Sequence, residues 1–380
     1  MKVYAQIVGW GRYVPAKVLT NHDLAQMVDT TDEWIRTRTG INERRIAGPK
    51  ESSSTMGVRA AMAALEVADV NPARLDLVIA STITPDYTLA STASLIQDAI
   101  GASRAGAFDL NAGCAGFVYA LSVATQYIES GAARNVLVVG ADTISRIVDW
   151  TDRATCVLFG DGAGAFVLQA SEQQAGVLRC VLGSDGSGYE SLYIPAGGSR
   201  LPTSAETVQN KQHFVRMDGG EVFRFAVTAM SQSATQAIAA AGLKPDDIDL
   251  FIPHQANIRI IQAAARSLKL PMERVFVNVD RYGNTSTASV PIALCEALEQ
   301  GRVRPGDKLV LVGFGAGLSW AAAVVQWGTP TSVTHRPWWR TLLQRLWAQQ
   351  AIVVSSIRRA RRRLLSVRVT PVRPDDDDSV

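Results

Sequence analysis

Asp109-Leu110-Asn111-Ala112-Gly113-Cys114-Ala115-Gly116 joins two stretches of different hydrophobic period. Before it, Ala105 to Leu110 reads as a short buried strand. After it, from Gly116, apolar residues recur at Val118, Leu121, Ala124, Thr125 and Ile128, which is helical spacing. Cys114 therefore stands on a small-residue turn between a strand and a helix. Small neighbours allow a sharp turn and a close approach by a substrate. The free N–H groups and positive end of the helix predict a stabilised thiolate, the form that nucleophilic catalysis uses. A buried structural cysteine is the alternative that this turn alone leaves open.

Working outward, the same pattern occurs twice. Leu75-Asp76-Leu77-Val78-Ile79-Ala80 is a near-continuous apolar run, as a buried parallel strand is. Ile248-Asp249-Leu250-Phe251-Ile252 matches it. Asp76 lies 38 positions before Cys114, and Asp249 lies 35 before Asn284. Cys114 to Gly131 and Asn284 to Gly301 are both 17 positions. Glu129-Ser130-Gly131 pairs with Glu299-Gln300-Gly301, each followed by a Val- and Leu-rich strand. Alternating strands and helices predict an α/β protein of two duplicated βαβ-rich halves, with largely parallel sheets covered by helices. Cys114 and Asn284 then occupy equivalent strand–turn–helix junctions, where such sheets place ligands. The expected units are 1–172, 173–330 and a tail, 331–380.

Elsewhere, Val3 to Val8, Asn135 to Val139, Val275 to Val279 and Lys308 to Val312 read as strands. Thr55 to Ala68, Thr92 to Ile100, Phe223 to Ala241 and Ala288 to Leu298 read as helices. Thr20 to Trp34 reads as helical, with Asn21 and Asp32 as caps. Thr151-Asp152-Arg153 reads as a loop. Phe159-Gly160-Asp161-Gly162-Ala163-Gly164 looks like a phosphate loop but precedes the strand Ala165 to Leu168, not a helix, which argues against a nucleotide there.

Composition fits a large globular core, with 47% hydrophobic and 19% charged residues in 380. No run of about 18 apolar residues predicts a spanning helix. Met1 to Val14 lacks the order of a signal peptide, so a cytoplasmic location is expected. Cys114, Cys156, Cys180 and Cys295 are far apart and form no CxxC pair, which predicts reduced thiols and no metal site. The last three lie in apolar contexts and read as core. The net charge of +3 is uneven: from Thr331 onward stand ten Arg and four Asp, so the body is slightly acidic.

His254 follows the strand Phe251-Ile252-Pro253 and precedes Gln255-Ala256-Asn257. Cys, His and Asn in one pocket suit either a papain-like cysteine protease or carbon–carbon bond formation through an acyl-cysteine. The protease lacks support: no Cys-Gly-Ser-Cys-Trp signature occurs, Cys114 is far from the N-terminus, and the duplication does not fit.

Asn111-Ala112-Gly113-Cys114-Ala115-Gly116-Phe117, Pro253-His254-Gln255-Ala256-Asn257, Tyr282-Gly283-Asn284-Thr285-Ser286 and Gly313-Phe314-Gly315-Ala316-Gly317 together resemble the β-ketoacyl-[acyl carrier protein] synthase III family. The likeness runs from about Val3 to Trp327. It implies a thiolase-like fold, layered α/β/α/β/α, and an enzyme that joins an acyl-CoA starter to malonyl-[acyl carrier protein] with loss of carbon dioxide. By the resemblance, Cys114 carries the acyl group, the backbone N–H groups of Cys114 and Ala316 hold the oxyanion, and His254 and Asn284 serve the decarboxylation. Trp34 and Arg153 would sandwich the adenine of CoA, with Arg38 at the nucleotide and Asn257 ordering a water near His254. Arg224, Arg259 and Arg266 would meet the acidic carrier protein. Leu89 would reach the partner subunit's acyl pocket in a homodimer, and Phe314 would border the same tunnel. The resemblance implies no cofactor; a nucleic-acid partner has only the Arg cluster of the tail in its favour, and none is expected. A same-fold acyltransferase that transfers the acyl group without decarboxylation is the alternative, and a carrier-binding or membrane scaffold is a third reading.

The family pattern stops near Trp327. Within 337–365, Trp339, Leu342, Leu343, Leu346, Val353, Ile357 and Leu364 form an apolar arc, with Arg340, Arg345, Arg358, Arg359, Arg362 and Arg363 mostly opposite. That pattern suits a basic helix on a membrane surface. The β-branched Ile352-Val353-Val354 and the closing Asp375 to Asp378 suit a solvated, largely disordered tail instead.

Overall fold

Apolar, β-branched runs fill the centres of two sheets, and helices cover both. The structure, a computed structural model, describes residues 3–328, 350, 353–357 and 360–361. The first half contains β1 (Tyr4–Tyr13), β2 (Lys17–Thr20), α1 (Asn21–Ala25), α2 (Asp32–Thr39), β3 (Glu43–Ile46), α3 (Ser53–Ala68), β4 (Leu77–Ser81) and α4 (Thr92–Ile100). It continues through β5 (Gly106–Leu110), α5 (Gly116–Glu129), β6 (Asn135–Asp142), α6 (Arg153–Cys156) and β7 (Gly162–Ser171). The second half begins with β8 (Gly176–Ser184), β9 (Leu192–Tyr193), α7 (Ala205–Gln209), β10 (Arg216–Met217) and α8 (Gly219–Ala240). It ends with β11 (Leu250–Pro253), α9 (Ile258–Ser267), α10 (Val279–Tyr282), α11 (Ser289–Glu299), β12 (Lys308–Gly315) and β13 (Ser319–Gln326).

The sheet of the first half has the order β1-β7-β6-β4-β5, and that of the second β11-β12-β13-β8. Read from the other edge, the second order is the first without its last strand. β4 pairs in parallel with both β5 and β6, and β11 in parallel with β12. The missing fifth strand is the run Val275 to Val279. It makes a single parallel bridge from Val275 to Phe251 and then coils into α10. The expectation of a strand there is corrected: the Asn278 N–H donates to the Gln255 side chain, at Oε1, instead of to a neighbouring strand, while the Asn278 side chain donates to Glu296.

α5 and α11 lie between the sheets. α5 buries Phe117, Val118, Leu121, Ala124 and Ile128 against strands of both halves. α11 buries every residue from Ser289 to Ala297. A helix apolar on all sides belongs in such a middle layer. α3 and α4 cover the outer face of the first sheet, and α8 and α9 that of the second. The result is five layers, α/β/α/β/α.

Thr20 to Trp34 is two helices, not one. Thr20 caps α1 and Thr31 caps α2, each accepting from the backbone N–H three residues on. Asn21 is not a cap: it lies inside the fold, where its side chain donates to Asp32 and to the Ile41 carbonyl. Arg153 opens the short helix α6, capped by Asp152, where a loop was expected. Cys156 and Cys295 are buried and Cys180 is half-buried, so only the first two match the core reading fully; all four thiols are free.

Candidate active site

Cys114 sits where β5 ends and α5 begins, 6% exposed. Its neighbours explain why the closing strand is glycine-rich. A Cβ at Gly315 would lie 2.4 Å from Cys114 N, and one at Gly313 would lie 2.8 Å from Ala115 Cα. Only glycines let β12 press against the turn. Gly113 has φ +56°, and a Cβ there would meet Ala316 N at 2.7 Å. The backbone of Ala316 is thus held beside the Cys114 turn.

Burial dominates the thiol. It pushes the Cys114 pKa up to about 12, and the Ser286 hydroxyl, 3.3 Å from Sγ, pulls the other way. Burial thus works against the thiolate that the helix terminus is expected to stabilise.

His254 follows β11, and its N–H donates to the Val312 carbonyl at 2.7 Å, fixing the loop to β12. Nδ1 lies 2.5 Å from Ser289 Oγ, and the ring stands edge-on to Phe314, 5.0 Å between centroids. The ring is 1% exposed, and burial depresses its pKa to about 3. His254 is neutral at physiological pH, with Nδ1 occupied and Nε2 remaining. Asn284 is anchored through its backbone, its N–H donating to the Leu158 carbonyl and its own carbonyl accepting from Gly160 N–H. Its Oδ1 accepts from Ser286 N–H at 2.8 Å. The acceptor being tied down, the amide NH₂ is the end left for a ligand.

Cys114, His254, Asn284, Asn257 and Phe314 line one cavity of about 90 Å³. A second, of about 220 Å³, opens on the other side of Cys114 and is walled by Ile83, Ile144, Ile147, Ile194 and Val215, with Ala316 and Ser286 at its polar end. Phe314 thus stands at the His254 cavity rather than the apolar one. Leu89 is 97% exposed and lines neither.

Trp34 is half-buried, with the guanidinium carbons of Arg38 and Arg153 at 4.6 and 4.9 Å from its ring centroid. A flat base between Trp34 and Arg153 needs about 7 Å, twice a van der Waals contact, so Arg153 must swing outward to admit one. Both polar ends of Asn257 are engaged: Oδ1 accepts from Arg259 N–H, capping α9, and Nδ2 donates to the Arg38 carbonyl. Asn257 therefore ties α2 to the His254 loop. Arg224, Arg259 and Arg266 are all exposed on α8 and α9, and Arg259 lies over the Phe223 ring beside the His254 cavity.

Sequence reasoning missed three residues. Ser289 buttresses His254. Ser286 touches Cys114. Asp142, fully buried at the end of β6, accepts from Thr82 Oγ1, Ile83 N–H, Thr84 N–H, Thr84 Oγ1 and Thr287 N–H. Ser286 was visible only as the end of the Asn284-Thr285-Ser286 motif. Among the described residues no group of His, Cys, Asp and Glu is placed to hold a metal.

Two family models match the chain: 3-oxoacyl-[acyl-carrier-protein] synthase III over residues 108–186, and its C-terminal domain over 238–327. The β-ketoacyl-[acyl-carrier-protein] synthase III of Roseiflexus sp. (strain RS-1) is 57% identical over 327 residues, 86% of this chain and 99% of that protein. The enzyme of the same name from Caldanaerobacter subterraneus subsp. tengcongensis is 52% identical over 326 residues, 86% of this chain and 98% of that protein. Among solved structures, the synthase III of Thermus thermophilus superposes with TM-score 0.80 at 50% identity, covering 85% of this chain and 99% of that one. That of Aquifex aeolicus VF5 gives 0.80 at 46%, covering 85% and 100%. Identity above one half over almost the whole length of both relatives means that this chain belongs to the β-ketoacyl-[acyl-carrier-protein] synthase III family.

Proposed function

We propose that the chain is an acyltransferase that initiates fatty acid synthesis, joining an acyl-CoA to malonyl-[acyl carrier protein] through an acyl group on Cys114. The carrying observation is that Cys114, His254 and Asn284 face one cavity, with His254 held neutral and Asn284 offering its NH₂. Cys114 Sγ attacks the thioester carbonyl, and the acyl chain lies in the isoleucine-lined cavity. The backbone N–H groups of Cys114 and Ala316 meet the oxyanion, a contribution of roughly 3 kcal/mol per donor. CoA leaves past Trp34, Arg38 and Arg153. Malonyl-[acyl carrier protein] then enters the smaller cavity. As carbon dioxide departs, negative charge grows on the malonyl thioester oxygen, and His254 Nε2–H and the Asn284 amide stabilise it. Two neutral donors hold an enolate without quenching it by protonation, whereas plain acyl transfer has no use for them. That chemistry favours condensation over the transfer-only alternative. The resulting carbon nucleophile attacks the acyl carbon and frees Cys114.

We assign the exposed Arg224, Arg259 and Arg266 to the acidic carrier protein, and Asn257 to the support of the CoA-binding helix. A homodimer through the β5 edge would bring Leu89 to a partner's acyl cavity. Residues 1–172 and 173–330 form the two halves. The reaction uses no cofactor and no nucleic acid, and a cytoplasmic site suits its substrates. Among the described residues no helix is long and apolar enough to cross a membrane. Most of 337–365 lies outside the described residues; within it, Val353 and Ile357 are exposed while Ser355 bonds to Asp98 of α4.

Intact-mass analysis with a panel of acyl-CoAs, then malonyl-[acyl carrier protein], tests the reading. The expected result is an acyl adduct that is absent in Cys114→Ser and is discharged with release of carbon dioxide. No adduct on Cys114 from any acyl-CoA would refute it.

A further inference from the structure

Arg44 is a buried cation that the reaction described above does not use. It stands on β3, opposite Leu19 of β2, and is 0% exposed. Burial lowers its pKa to about 10, so it is charged at neutral pH. Among the described residues none of its hydrogen bonds goes to a carboxylate. Nη1 donates to the Leu19 carbonyl at 3.2 Å and to Asn21 Oδ1 at 2.9 Å, Nη2 donates to the Val157 carbonyl at 2.7 Å, and Nε has no hydrogen-bond partner. Taking an ion out of water without a counter-charge is costly, and a well-packed apolar side chain fills such a place at less cost. The cation therefore answers a demand other than packing.

The Nη2 bond shows where that demand lies. Val157 follows α6 and opens the short segment that holds Asn284. The next carbonyl, that of Leu158, accepts from Asn284 N–H at 2.8 Å, and Gly160 N–H donates to the Asn284 carbonyl at 3.0 Å. Phe159, between them, makes a parallel bridge with Asn284 and lines both cavities at Cys114. The stem of Arg44 closes the same place from behind. A Cβ at Gly160 would lie 2.3 Å from the Tyr282 carbonyl oxygen and 3.1 Å from Arg44 Cβ. One at Gly283, where φ is +61°, would lie 2.8 Å from the Leu158 carbonyl oxygen and 3.3 Å from Arg44 Cβ. The far side of the guanidinium is fixed too, because Asn21 is itself tied to Asp32 of α2 and to the Ile41 carbonyl.

We propose that Arg44 is a positioning residue for the decarboxylating half-reaction: it fixes 157–160, and through that segment it aims the Asn284 amide at the malonyl thioester oxygen. The proposal rests on the acyl-Cys114 reading and on Asn284 as an enolate donor. Arg44 lines neither cavity at Cys114, so it acts only through Asn284. A donor stabilises a developing oxyanion only when it is already in place, and a small misplacement is expensive. Acylation makes a different demand. It uses Cys114 and the backbone N–H groups of Cys114 and Ala316, and among the described residues no backbone bond joins 157–160 to either. Loss of Arg44 should therefore divide the two half-reactions, which a residue serving the fold alone would not do.

Single-turnover measurements on the full chain test this. Each variant is acylated at saturating acyl-CoA and followed by intact mass; the acyl adduct is then mixed with malonyl-[acyl carrier protein] and release of carbon dioxide is timed. At saturation, any shift of α6 and its Arg153 shows only as a higher half-saturating acyl-CoA concentration. Arg44→Lys keeps the charge and the stem but loses the fork that reaches the Leu19, Asn21 and Val157 oxygens. Its acylation is expected within about threefold of wild type, and its carbon dioxide release roughly tenfold slower. Arg44→Met, which removes the charge as well, is expected to lose more of the second step. In an Asn284→Ala background Arg44→Lys should slow carbon dioxide release no further, because the donor it positions is gone. Equal loss in both half-reactions of Arg44→Lys, carbon dioxide release from it at the wild-type rate, or a further loss of about tenfold in the double variant would each overturn the proposal. So would an Arg44→Lys chain that does not fold, since the cation would then serve the fold alone. All of these leave acyl-Cys114 intact in the wild type. No adduct on wild-type Cys114, or one that malonyl-[acyl carrier protein] does not discharge, would overturn the proposal together with the reading beneath it.

Discussion

At the residue scale the site works by withholding charge. His254 is the clearest case, with its pKa depressed to about 3 by burial alone. The consequence for stability has a definite sign. Above pH 6.5 the imidazole is largely neutral in both folded and unfolded chains, and His254 adds no pH dependence to stability. Below it, the unfolded chain takes a proton that the folded one refuses, so the folded state loses up to about 1.4 kcal/mol per pH unit from this group until about pH 3. Urea unfolding of wild type and His254→Asn at pH 7.5, 6.0 and 5.0 should show wild type losing ground to the variant as pH falls; parallel lines would contradict a buried neutral His254. Asn284→Ala separates the half-reactions: acylation should persist while decarboxylation falls about 10²- to 10³-fold, the effect of removing one oxyanion donor. Equal loss of both steps, measured by adduct mass and carbon dioxide release, would refute the role. Cys114, His254 and Asn284 were legible as candidates because each stands in a recognisable motif a few residues or less beyond an apolar run. Ser289 and Asp142 were not, because their importance lies in what they touch across 35 and 145 positions of sequence, and spacing carries no such information.

At the element scale the two junctions are alike in plan and unlike in detail. β5 is a real strand leading to Cys114, whereas Val275 to Val279 keeps one bridge and gives way to α10 before Asn284. Periodicity could not show this, since Val-Phe-Val-Asn-Val alternates as a strand does; the side chain of Asn278, bonded to Glu296, decides it. Helix caps misled for a similar reason: Asn21 and Asp32 have capping chemistry, yet Thr20 and Thr31 occupy the extended positions that caps need. The contact between β12 and the Cys114 turn gives a sharper prediction. Gly315→Ala places a methyl 2.4 Å from Cys114 N, so strand or turn must move. Overpacking of this kind costs about 1–3 kcal/mol. Because the displaced atom is the oxyanion donor proposed above, acylation should fall at least tenfold more than the change in thermal midpoint explains. Adduct formation at the wild-type rate would show that the turn has more room than its geometry indicates.

At the scale of the whole molecule, the duplicated sheets and the middle layer of α5 and α11 are complete by Trp327. The enzymes from Roseiflexus and Caldanaerobacter align over 327 and 326 residues, almost their full lengths, so the catalytic body of this family is contained in that span. The charge asymmetry separates the rest: a slightly acidic body is joined to a tail with ten Arg. The described tail residues touch the body at one side, where Ser355 bonds Asp98 and, with Gln350 and Val354, lines a cavity of about 330 Å³ against α4. That cavity is larger than either one at Cys114, yet it contains none of the reacting groups, so it does not compete as the active site. A chain ending at Pro330 should therefore acylate Cys114 and condense at the rate of the full chain. The two chains should differ on lipid. Val353 and Ile357, one helical turn apart, are 56% and 60% exposed, and five Arg follow between 358 and 363. Apolar contact plus about 1 kcal/mol per basic residue near an anionic surface predicts that only the full chain floats with phosphatidylserine-rich vesicles, and that raised salt releases it. Equal recovery of both chains would remove the membrane from the account of the tail. Loss of condensation in the shorter chain would show instead that the Ser355–Asp98 contact supports the catalytic body through α4.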